Sequence, residues 1–186
     1  RAYLPDLLRN FLHQEALGFD KMRSVLQPVA ERYQEDIEFQ KQYAQFLLRN
    51  EALEDAVAHY RRLADANPED VNLWREYAQA LQQTGQAEEA LAAVEPWAMA
   101  TSDPERLVLL GELYLQANDS QRFLTMRKRS LEGAATDEEK RRIERALVGL
   151  QLSAGDYEGA KAVLEACYRS QPDTAVTTQY LNLLIQ

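Results

Sequence analysis

Apolar residues recur three and four positions apart along most of the chain, in stretches broken by short polar turns. That is the spacing of amphipathic helices. Trp74, Tyr77, Ala78 and Leu81 make one stripe, and Ala87, Ala90, Leu91 and Val94 make a second. Gly85 separates them, and Gly155 stands at a similar break, because glycine takes the left-handed conformation at a helix end without a Cβ penalty. Asn67-Pro68-Glu69-Asp70, Ser102-Asp103-Pro104-Glu105 and Gln171-Pro172-Asp173 read as stops followed by starts. Thr136-Asp137-Glu138-Glu139 has the form of a capping box opening a long helix.

The stripes themselves repeat. Tyr43-Ala44 and Tyr77-Ala78, Leu47 and Leu81, and Ala56 and Ala90 are each 34 residues apart, and Leu110-Gly111 follows at nearly the same interval. A further unit aligns when three residues are inserted around 133–138, which brings Leu147, Gly155, Ala160 and Pro172 into register. Pro28 and Pro96 lie two periods apart, each near the end of a second helix, where a proline removes a hydrogen bond and kinks or shortens the last turn. Ala56, Ala90 and Ala160 fall where two helices of a unit cross most closely, so a larger side chain there overpacks. A fixed period of this length, carried by helix pairs, predicts an array of stacked hairpins.

These residues resemble the tetratricopeptide repeat family. Residues 71–104 carry the resemblance best, through Trp74, Tyr77-Ala78, Leu81, Ala90 and Val94, and 37–70 through Tyr43-Ala44, Leu47, Ala56, Tyr60 and Pro68. Residues 3–36 and 104–138 are degenerate versions. The resemblance implies an all-α, right-handed α-α superhelix of antiparallel helix hairpins. One solenoid over 1–186 is expected, with repeats at 3–36, 37–70, 71–103, 104–140 and 141–174 and a partial repeat at 175–186. It also implies a concave groove lined by first helices, exposing Lys41, Gln42, Gln45, Arg49, Asn72, Arg75, Gln79, Gln82, Glu112, Arg142 and Arg145. The family's clamp for a peptide C-terminus, built from Lys, Arg and Asn, is echoed by Lys41 and Arg75, but Gln45 and Glu76 stand where Asn is expected.

Composition narrows the function. With 46% hydrophobic residues and only seven Gly and six Pro, the chain has enough apolar material for a core and few helix breakers. A net charge of −9 opposes non-specific nucleic-acid binding, which needs a surplus of cations. No apolar run is long enough for a membrane helix, and no signal-peptide pattern opens the sequence. The chain begins without Met and closes with an apolar segment, Asp173 to Gln186, which suggests a piece of a longer array or self-association through unshielded ends.

No residue pattern for catalysis, metal or cofactor stands out. His13 and His59 are isolated and read as solvated or packing histidines, and Cys167 sits beside Val163 and Leu164 as a buried thiol. Arg127-Lys128-Arg129 and Lys140-Arg141-Arg142 with Arg145 flank a loop containing Gly133; they read first as solvated helix faces and second as a docking patch for an acidic partner. The expected function is therefore a non-catalytic scaffold that binds another protein or an extended peptide. The sequence also resembles periplasmic helical regions of bacterial exopolysaccharide exporters of the Pel, cellulose and poly-N-acetylglucosamine systems, which would make the partner a polysaccharide-modifying enzyme. A cytoplasmic adaptor and a direct polysaccharide-binding module are the alternatives.

Overall fold

The computed structural model describes residues 18–170 and Thr178, and among them all regular structure is helical. The expected elements at 3–17 and 173–186, with His13, lie outside the described residues, as does the side chain of Cys167. Among the described residues nine helices follow in order: α1 (Phe19–Arg32), α2 (Ile37–Arg49), α3 (Leu53–Ala66), α4 (Val71–Gln83), α5 (Ala87–Met99), α6 (Pro104–Gln116), α7 (Ser120–Gly133), α8 (Asp137–Ser153) and α9 (Tyr157–Ser170). The chain divides into two compact units between Ala90 and Leu91, within α5.

Each first helix starts on a side-chain cap. Asp36 accepts from the Phe39 amide at 3.1 Å, Asp70 from Asn72 and Leu73 at 2.9 and 3.3 Å, and Asp103 from Glu105 and Arg106 at 2.8 and 3.2 Å. Pro104 occupies the first turn of α6, where a missing N–H costs nothing. The cap on α8 forms in a shifted version of the capping box: Thr136 Oγ1 accepts from the Glu139 amide at 3.1 Å, while Glu139 Oε2 accepts from the amide of Ala135, one residue before the cap, at 2.8 Å.

Within each hairpin the turn is the same physical object. One left-handed residue closes the first helix, and the next residue's amide bonds back to a carbonyl five positions earlier: Ala52 to Leu47, Gln86 to Leu81, Asp119 to Tyr114 and Asp156 to Gln151, at 2.8–3.0 Å. Gly85 and Gly155 fill the left-handed position with φ of 78° and 77°, but Glu51 and Asn118 fill it in the other two turns with φ of 60° and 59°. Pro28 and Pro96 lie inside α1 and α5, which run on to Arg32 and Met99.

In the first unit, Met22, Leu26 and Ala30 of α1 pack with Phe39, Tyr43, Phe46 and Leu47 of α2 and Ala56 of α3. In the second, Val148 of α8 meets Ala160, Val163 and Leu164 of α9. Ala56, Ala90 and Ala160 are each fully buried, as close helix crossing requires. The degenerate hairpin α6–α7 solves the same problem the other way round. Phe123 takes the position of the alanine and lies against Gly111 of α6, whose absent Cβ would stand 3.5 Å from the ring.

Two expectations about 133–138 change. Gly133 closes α7 and is not part of a loop, and it is small because a Cβ there would come within 2.6 Å of the Ser102 carbonyl oxygen. The inserted residues form an extra turn of helix: α8 has 17 residues where α2, α4 and α6 have 13.

Candidate interaction surface

The burial pattern of α2 turns Phe39, Gln40, Tyr43, Ala44, Phe46 and Leu47 inward, which leaves Glu38, Lys41, Gln42, Gln45 and Arg49 on the opposite face. One period later α4 buries Leu73, Trp74, Tyr77, Ala78 and Leu81 and presents Asn72, Arg75, Glu76, Gln79 and Gln82. Lys41 Nζ and Glu76 Oε1 meet at 2.7 Å, which shows that the two faces adjoin. Both side chains are mostly enclosed, with 25% and 24% of their area exposed.

The hydrogen bond from Lys41 to Glu76 raises the Lys41 pKa above the ordinary lysine value, against the lowering effect of burial, and the charges of Glu76, Glu38 and Asp70 act in the same direction. Glu38 also accepts from Gln42 Nε2 at 2.9 Å. The second carboxylate oxygen of Glu76 is buried and accepts no hydrogen bond among the described residues. Behind it, burial raises the Tyr60 phenol well above its usual range, Glu76 adding and Arg49 opposing. Gln45 and Gln79 remain exposed on either helix.

The second unit repeats the arrangement on α6 and α8. Arg142 Nη1 reaches Glu105 Oε1 at 2.7 Å, with about half of each side chain exposed. Arg145 follows one turn along α8 and is exposed, and Glu112 lies half-buried on α6. Lys41 and Arg142, both anticipated as groove cations, are thus each engaged by a carboxylate of another first helix. Glu76 and Glu105 are not among the anticipated lining. A charge on one helix carries no sequence signal for a partner some 35 residues away, because the meeting depends on how the two helices are staggered.

Several of the basic groups around α7 and α8 have a neighbour within reach, through exposed contacts that water screens. Lys128 is 3.8 Å from Glu132, Lys140 is 3.6 Å from Asp137, and Arg129 Nη1 donates to Met99 Sδ at 2.9 Å. His59 is a core residue, 8% exposed, with its ring edge-on to Tyr43 at 5.4 Å and its Nδ1 accepting from Arg62 Nη2 at 3.0 Å. Burial, with the Arg62 cation, lowers its pKa to about 4. Among the described residues no group of three or more His, Cys, Asp or Glu side chains is placed to hold a metal, and no helix is long and apolar enough to cross a membrane.

A family model described as Tetratricopeptide Repeats-Sensor matches residues 52–136, a little under half of the chain. No curated protein matches. Among solved structures, a thermophilic tetratricopeptide-repeat protein of Thermus thermophilus is similar at 19% identity and a TM-score of 0.54, over 98% of this chain and 100% of that one. A tetratricopeptide repeat protein of Parabacteroides merdae is similar at 15% identity and a TM-score of 0.58, over 99% of this chain and 72% of that one. The helix pairs, their left-handed turns and these two structures agree on the tetratricopeptide-repeat fold.

Proposed function

We propose that this chain is a non-catalytic scaffold that binds another protein, or an extended segment of one, on the face formed by its first helices. The carrying observation is the surface of α2 and α4: two adjoining helix faces, polar throughout, with exposed amides at Gln45 and Gln79 and the half-buried Lys41–Glu76 pair beside them. Gln42, Arg49, Asn72, Arg75 and Gln82 complete that surface in the first unit, and Glu112, Arg142 and Arg145 belong to its counterpart in the second. A polar, mixed-sign face suits directional hydrogen bonds to a protein segment, whereas catalysis needs convergent groups with matched proton affinities.

A partner captured from extracts of the source cells and titrated calorimetrically tests this reading. Gln45→Ala with Gln79→Ala, which remove the exposed amides without adding charge, should weaken binding at least tenfold, and Arg61→Ala on α3 should leave it unchanged. The reverse pattern would move the interface to the second helices. Within this reading we propose a periplasmic role in exopolysaccharide export, with a polysaccharide-modifying enzyme as the partner; recovery of the chain only in the cytoplasmic fraction would favour an adaptor of assembly or regulation there.

A further inference from the structure

We propose that Glu76 is a specificity-determining residue: it occupies, from within the chain, the half-buried cationic position of Lys41 on the α2–α4 face, so that anionic ligand groups are refused there. The inference rests on the reading of that face as the binding surface and adds the charge class of what it accepts.

Lys41 is anticipated on this surface together with Arg49 and Arg75, and its ammonium is 2.7 Å from a carboxylate already on the protein. Both partners are about three-quarters enclosed, so the contact is less screened than an exposed ion pair. A ligand carboxylate or phosphate would have to displace Glu76, and the displaced Glu76 would remain beside the incoming anion, with Glu38 and Asp70 also within the field acting on Lys41. Competition and repulsion therefore act in the same direction, which is how a site rejects a class of ligand. The surroundings reinforce this, since residues 18–90 carry fourteen carboxylates against eight Lys and Arg, while 91–170 carry thirteen against eleven. A segment crossing the first unit is accordingly neutral or basic where it passes Lys41.

The test uses the whole chain and a tetraglutamate peptide as the probe, followed by chemical-shift perturbation at the Lys41 and Gln45 amides at low ionic strength. Glu76→Gln should bind the probe at this face at least fivefold more tightly than the wild type, and adding Lys41→Gln to Glu76→Gln should abolish the gain. Equal affinity of wild type and Glu76→Gln, or Lys41-dependent binding by the wild type as strong as that of the variant, would overturn the proposal. A second measurement needs no variant: the Lys41 ammonium of the wild type should titrate above an ordinary lysine, and an ordinary value would show that Glu76 does not hold it. Because the probe is not the partner, a gain in Glu76→Gln together with a partner that ignores this face would refute the proposed binding surface and leave the role of Glu76 standing.

Discussion

At the scale of single residues, two side chains depart from what their type prefers, and each has a measurable consequence. Glu51 holds the left-handed position that Gly85 and Gly155 fill elsewhere, at a cost for an L-residue of roughly 1–2 kcal/mol. Glu51→Gly should therefore raise the urea midpoint, with a gain of about 1 kcal/mol once the greater freedom of the unfolded glycine is allowed for. His59 is buried and neutral. The folded ring resists protonation down to about pH 4, whereas the unfolded one takes a proton near 6.5, so between those values the unfolded chain binds more protons. Stability from this residue is complete above pH 6.5 and falls as the pH drops toward 4, by about 2 kcal/mol near pH 5. Denaturation of wild type and His59→Gln at neutral pH and near pH 5 checks it: the wild type should lose more. The isolation of His59 is visible in the sequence. Its burial against Tyr43 is not, because that depends on how α3 lies on α2, whereas the contact with Arg62 is between residues three apart on one helix.

At the scale of helices and hairpins, the period, the small residues and most turn signals are legible because they follow from local rules. Apolar spacing fixes the buried face of a helix, aspartate or threonine caps its start, and a left-handed residue ends it. Where the sequence looks degenerate, at α6–α7, the packing constraint persists but its solution is exchanged between the helices, with Gly111 admitting Phe123 in place of an alanine on the second helix. A search for alanine at a fixed position misses that exchange. The extra turn of α8 is not legible as helix, because an inserted loop and a helix extension leave the same gap in an alignment. The shared rule also yields a prediction: Ala90 is fully buried, so Ala90→Leu should overpack its hairpin and cost about 1–3 kcal/mol, seen as a lower melting temperature. An unchanged melt would mean that the position has free space.

At the scale of the molecule, an ion pair joins successive first helices within each of the two compact units, Lys41–Glu76 in the first and Glu105–Arg142 in the second. Of the residues anticipated on the first helices, Gln45, Arg49, Asn72, Gln79, Arg142 and Arg145 are exposed, while Lys41, Gln42, Arg75, Gln82 and Glu112 are half-buried; which charges hold each other is not legible, since pairing across helices depends on stagger. The central claim is that the first-helix face, and not the second-helix face, meets the partner. Photo-crosslinking in the source cells tests it most directly, with benzoylphenylalanine placed singly at Gln45 on α2, Gln79 on α4 or Arg61 on α3. A shared crosslinked partner from positions 45 and 79 with none from 61 is the predicted result, and a partner caught only from position 61 would contradict the account.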